Sequence, residues 1–154
     1  MREKSDPRLI AARALMLTRR ALFEVRKAEW RLKNSREVNK DILRNLYVIE
    51  TILFSIALRL QTISVVGVLT PDLLRMPREL VKAIMNEGVP LQLYPLIEEL
   101  DATLSMLNIP EAPAEFESPT LGGEREDIGR KVKEILEEAR READRRLREN
   151  GLAQ

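Results

Sequence analysis

The strongest constraint on the fold is an apolar stripe that continues through residues 35–67. Its members recur every three or four positions, and they are Val38, Ile42, Leu46, Ile49, Leu53, Ile56, Leu60 and Ile63. This spacing is that of one face of an α-helix. The stripe therefore predicts a long second helix, for which Ser35 is the expected N-cap and Gly67 the end.

The segment before this stripe has the same helical character. Asp6 can cap a helix and Pro7 suits its first position. One face to about Lys33 then carries small and apolar residues: Ala11, Ala14, Leu15, Thr18, Ala21, Leu22, Val25, Ala28 and Leu32. Because a short polar turn joins the two segments, we expect an antiparallel helical hairpin over residues 7–67.

The rest of the chain also predicts helices, so the fold class is all-α. Short helices are expected over residues 71–107, where Pro77 should limit or kink the first of them. Residues 1–108 would form the core. The Pro- and Gly-containing segment 109–123 is expected to be a linker, and residues 124–154 a charged C-terminal helix.

Composition argues against most catalytic chemistry. The 154 residues include no His and no Cys, which excludes Ser–His and Cys–His catalysis, disulfides and zinc sites. We therefore expect that the protein is not an enzyme, that it has no catalytic residue and that it binds no metal or cofactor. Met1–Asp6 is polar and does not look like a secretory signal. Glu50 and Arg59 interrupt the most apolar stretch, Leu46–Thr70, which favours a buried helix over a membrane span.

The near-neutral total of +1 conceals a strong separation of charge. Residues 1–40 carry a net charge of +7, whereas residues 83–119 contain seven acidic residues and no basic one. Such a pattern indicates a surface that attracts polyanions and a segment that can mask it. Glu98, Glu99 and Asp101 are the carboxylates expected to dock on the first helix and autoinhibit it.

The first helix has a second apolar row, opposite its heptad-like face. Leu9, Met16, Phe23 and Trp30 are spaced seven apart. Cations flank the row on both sides: Arg13, Arg20 and Lys27 on one, and Arg19, Arg26 and Lys33 on the other. Such a row suits an anionic membrane surface. Packing against a later helix or another subunit is the alternative, and nucleic acid is the least favoured partner because no binding motif is present.

The second helix is apolar on more than one side. Tyr47, Phe54, Leu58 and Val65 lie away from the main stripe. A helix apolar on nearly every face is normally buried on every face, so this side must contact downstream segments or another chain.

Several short segments resemble one family, the archaeal ESCRT-III-like cell-division proteins (the CdvB group). They are Arg59–Ile63 (RLQTI) with the following Gly67 and the segment 68–107, Arg20–Ala28 (RALFEVRKA), and Lys133–Arg148 (KEILEEARREADRRLR). The resemblance implies a basic hairpin that polymerises side by side on membranes while an acidic C-terminal part holds the monomer closed. The residues expected to form the hairpin or self-association contacts of the second helix are Tyr47, Phe54, Leu58, Arg59, Leu60, Ile63 and Val65.

The resemblance also implies partners and a location. A shortened paralogue would assemble with itself and with longer members, on the cytoplasmic, inner face of the cell membrane. The family's AAA ATPase is a further possible partner, but neither of its usual recruitment motifs follows the last helix. The expected function is a non-enzymatic filament subunit for membrane constriction in cell division or vesicle budding. The alternative is a soluble helical adaptor that binds one partner protein without polymerising.

Overall fold

The structure is a computed structural model that describes residues 6–67, 70–107 and 119–152, with the backbone alone at 71–72 and 119–126. Across these residues it is all-helical and contains no strand. The helices are α1 (Pro7–Lys33), α2 (Lys40–Val66), α3 (Pro71–Glu87), α4 (Tyr94–Leu104) and α5 (Pro119–Glu149). The predicted all-α class is confirmed.

The first two helices form the antiparallel hairpin. Arg26 of α1 pairs with Glu50 of α2 at 3.1 Å, and Arg8 lies beside Gly67. Asp6 caps α1 by accepting a hydrogen bond from the Arg8 amide at 2.9 Å. The N-cap of α2 is Asn39, whose side-chain oxygen accepts from two amides. The prediction of Ser35 as this cap is wrong, because its hydroxyl donates to the Leu32 carbonyl at the end of α1 instead.

Three further helices cover the hairpin. The third and fifth helices pack on α2 and on each other, and α4 packs on α1 and α3. A hydrogen bond of 2.7 Å from the Asn45 amide nitrogen to the Gly88 carbonyl oxygen fixes the end of α3 beside the start of α2. Pro77 does not end α3, which runs through it to Glu87.

The C-terminal helix belongs to the same core as the hairpin. Its seam residues Ile128, Ala139, Ala143 and Leu147 are buried in one cluster with the apolar stripe of α2. The helix begins at Pro119, five residues before the predicted start, because Pro suits the first helical position. The part of the predicted linker at 109–118 lies outside the described residues.

Among the described residues, α2 is the one helix long and apolar enough to cross a membrane by length and composition. Helices at the centre of a soluble protein pass the same test. In this fold α2 contacts α1, α3 and α5, and ten of its residues are buried.

Candidate interaction surface

The outward face of α1 remains uncovered. Its four apolar residues Leu9, Met16, Phe23 and Trp30 are between 63% and 71% exposed. They lie opposite the buried face of the helix, to which Ala11, Ala14, Ala21 and Val25 belong. The alternative in which a later helix of the same chain covers this row is therefore wrong for the described residues. The row is left for a membrane or another molecule.

The cations beside the row are also largely unused. Arg13, Arg19 and Arg20 are exposed, and no carboxylate in the described part of the chain pairs with them. Lys27 lies over the Phe23 ring, with its Nζ 5.9 Å from the ring centre. Arg26 differs, because its pairing with Glu50 makes it part of the hairpin's internal contacts.

The N-terminal half of this face is concave. A groove of about 410 Å³ is lined by Leu9, Ala12, Arg13, Met16, Leu17 and Arg20. Four of its lining residues are apolar and two are arginines. The C-terminal half carries the two aromatic side chains instead.

Within the described residues, Glu98, Glu99 and Asp101 do not make the predicted contact with the outward face of α1. The fourth helix packs on α1 and α3, and its buried side includes Ile97, Leu100 and Leu104. Glu98 and Glu99 therefore face solvent. Asp101 pairs with Arg78 of α3, at 3.6 Å between Oδ1 and Nε, rather than with an arginine of α1.

The predicted self-association residues of α2 divide into two groups. Tyr47, Leu60 and Ile63 are fully buried within one chain, so they are core residues and a second copy cannot reach them in this packing. Phe54, Leu58 and Val65 are exposed by 50% to 72% and remain open to another molecule.

Arg59 belongs to neither group. It is half-buried and bonds Ser55 on its own helix, at 2.5 Å to the hydroxyl oxygen. Burial lowers the pKa of its guanidinium.

A buried polar cluster holds α5 on the hairpin. Arg146 of α5 bonds Glu50 of α2 at 2.5 Å and approaches Glu29 of α1 at 3.5 Å. Its guanidinium also stacks on the Tyr47 ring, 3.9 Å from the ring centre. The Tyr47 hydroxyl accepts a hydrogen bond of 2.9 Å from the Asn150 side chain.

The two carboxyl groups of this cluster titrate differently. Burial and the adjoining Glu50 raise the pKa of Glu29 to about 8. Hydrogen bonds from Glu29, Arg146 and Arg26 outweigh burial and lower the pKa of Glu50 to about 2. The two shifts have opposite signs, so at neutral pH the proton that the pair retains resides on Glu29.

Sequence reasoning did not identify this cluster as a contact between helices. Glu50 was visible only as a charge within the most apolar part of the chain, and Arg146 as one of many charges on α5. A charged residue inside such a stripe was the available signal, because a buried carboxylate needs a partner. The partner lies 96 positions away along the chain.

The outward face of α1 and the exposed apolar residues of α2 are surfaces that can bind another molecule. Within the described residues no group of three or more Asp or Glu side chains is placed to hold a metal ion. No known family model, curated protein or solved structure matches this chain.

Proposed function

We propose that this chain is a non-enzymatic subunit of an ESCRT-III-like filament. The filament would assemble on the cytoplasmic face of a membrane and drive constriction in archaeal cell division or vesicle budding. The observation that carries the proposal is the outward face of α1, where an exposed apolar row lies beside Arg13, Arg19 and Arg20, which have no carboxylate partner among the described residues.

The composition of this face suits an anionic lipid surface. Aromatic rings such as Phe23 and Trp30 favour the headgroup region, where one side is apolar and the other is wet. Each Lys or Arg near an anionic membrane contributes about 1 kcal/mol. A single subunit would bind weakly, and many subunits joined in a filament would bind firmly because their contacts act together.

Vesicle sedimentation tests the membrane assignment. We expect the full chain to pellet with vesicles rich in phosphatidylserine and to stay in solution with phosphatidylcholine alone. The double variant Arg19→Glu/Lys27→Glu removes two attractive cations, so its affinity should fall by about thirtyfold or more. Phe23→Ala/Trp30→Ala should weaken binding without changing the charge.

A matched control separates the face from net charge. Arg141→Glu/Arg148→Glu changes two exposed arginines of α5 and should leave vesicle binding close to that of the unaltered chain. Equal binding by Arg19→Glu/Lys27→Glu and this control would contradict the membrane assignment. A chain that neither binds vesicles nor assembles would fit the soluble adaptor instead.

A further inference from the structure

The outward face of α4 combines apolar side chains with carboxylates. Leu91 in the turn before α4 is 91% exposed, Tyr94 44% and Met106 53%. Glu98 and Glu99 lie between them in sequence and are exposed. Nothing in the described chain covers this surface, because the opposite side of α4 packs on α1.

This face complements the groove on α1 in both polarity and charge. The groove is lined by four apolar residues together with Arg13 and Arg20, whereas the α4 face has exposed apolar side chains beside Glu98 and Glu99. The lengths are similar. At 1.5 Å per helical residue, Leu9 to Arg20 covers about 17 Å and Tyr94 to Leu104 about 15 Å.

We infer that the outward α4 face of one chain docks in the α1 groove of a second copy. Leu91 or Tyr94 would enter the groove, and Glu98 and Glu99 would pair with Arg13 and Arg20. The two surfaces do not meet within one chain in this fold, because α4 packs on α1 and α3 with Ile97, Leu100 and Leu104 on its buried side, while the residues proposed to dock are exposed. A second copy of the chain carries the same apolar and acidic α4 face, which matches the groove in polarity and charge.

The geometry of this contact deepens the proposed function, on which it rests. It joins two different surfaces, so a pair of copies still has one free α1 groove and one free α4 face, and further copies can add. The contact uses the half of the α1 face that ends near Arg20. Phe23 and Trp30 remain available for lipid.

Self-association of the full chain without lipid tests the inference. Sedimentation velocity over a concentration series should show species that grow with concentration at low salt and shrink at high salt, since salt screens exposed charge pairs. Either Arg13→Glu/Arg20→Glu or Glu98→Lys/Glu99→Lys should weaken association by at least about tenfold, because like charges would then face each other.

Mixing the two variants gives the decisive measurement. Each variant alone is defective, but the acidic groove of the first should bind the basic α4 face of the second. An equimolar mixture should therefore form a hetero-complex. The quadruple variant that carries all four changes should self-associate about as well as the unaltered chain.

A matched control variant is available on α5. Glu134→Lys/Glu138→Lys alters exposed carboxylates and gives the same change of net charge as the α4 variant, but should leave association unchanged. A chain that stays monomeric at every concentration would overturn the inference. So would association in the two reversed variants that is as strong as in the unaltered chain, or the absence of a complex in the mixture. Circular dichroism of each variant checks that the helices persist.

Failure here is distinguishable from failure of the proposed function. If Glu98→Lys/Glu99→Lys self-associates like the unaltered chain, the contact is wrong, whatever happens with lipid. If neither the unaltered chain nor Glu98→Lys/Glu99→Lys binds anionic vesicles while the two reversed variants still form a complex on mixing, the membrane assignment is wrong and the contact stands.

Discussion

At the scale of single residues, Glu29 is the most deeply buried carboxyl group among the described residues. Only 4% of its side chain is exposed, and its nearest charged neighbours are Glu50, Arg146 and Lys33. Ionising both of these neighbouring, largely buried carboxyl groups is unfavourable. The pair therefore retains one proton that the unfolded chain loses near pH 4.5. The proton makes the stability of the fold depend on pH.

The direction of this dependence follows from the two pKa shifts. Between about pH 4.5 and 8 the folded pair holds a proton that the unfolded chain has lost, so the free energy of unfolding should fall as pH rises. Below pH 4.5 the depressed pKa of Glu50 reverses the sign, and stability should fall toward pH 2. For one proton the slope is at most about 1.4 kcal/mol per pH unit. Urea denaturation from pH 3 to pH 9 measures it.

The variant Glu29→Gln isolates the responsible group. Gln keeps a hydrogen-bond donor for Glu50 but cannot titrate, so the decline between pH 5 and 8 should flatten. At pH 8 the variant should be the more stable of the two, because it has no carboxyl group that the fold keeps protonated. Glu138→Gln on exposed α5 is the control. An unchanged slope in Glu29→Gln would show that other groups set the pH dependence.

At the scale of helices, the ends of the elements depend on individual caps. Gly67 ends α2 with a φ of +66°, and its amide donates to the Ile63 carbonyl at 3.0 Å. A Cβ there would also clash with the Arg8 side chain. Arg8 is exposed and can move, so the lasting cost of a side chain comes from the left-handed backbone.

Two glycine variants should change stability in opposite directions. Gly67→Ala should lower the free energy of unfolding by about 1 kcal/mol because alanine disfavours positive φ. Gly129→Ala lies inside α5, where nothing is within 4 Å of the added Cβ, and should raise it by roughly 0.5–1 kcal/mol. Chemical denaturation measures both, and a loss of stability in both variants would contradict the argument.

Sequence patterns predicted the helices better than their contacts. Local signals such as Asp6-Pro7 and Gly67 gave the outer ends of the hairpin, because caps act over a few residues. Pro77 was expected to divide or kink α3, yet α3 continues through it. The outward row of α1 was visible from its spacing of seven. Whether a later helix covered it depended on how α4 packs, which periodicity does not determine.

At the scale of the whole molecule, α5 covers only part of one face of α2. Tyr47, Phe54, Leu58 and Val65 share this face at helical spacing. Tyr47 is fully buried beneath Arg146 and Asn150, whereas the other three are exposed. If α5 moved away, an apolar row of about 27 Å would open along α2. The resting position of α5 therefore limits how much of α2 another copy can contact.

The variant Arg146→Glu should displace α5 from the full-length chain. It places a third carboxyl group beside Glu29 and Glu50 and removes the cation above Tyr47, which costs several kcal/mol for a buried pair. Light scattering should then show larger assemblies than the unaltered chain forms. Deleting residues 109–154 should act in the same direction.

The neighbouring Arg148→Glu serves as the control, because Arg148 is exposed on α5. Its assembly should match that of the unaltered chain. If Arg146→Glu and the deletion both assemble no further than this control, α5 does not restrain self-association. Susceptibility to limited proteolysis would confirm independently that α5 has left the hairpin in Arg146→Glu.

The exposed indole of α1 also gives the molecule its own optical reporter. Trp30 is the only tryptophan in the sequence, and 64% of it faces solvent. Every change in the tryptophan emission of this protein therefore originates at the aromatic end of that one face. The wavelength of its emission maximum therefore reports the solvent exposure of that surface without any attached dye.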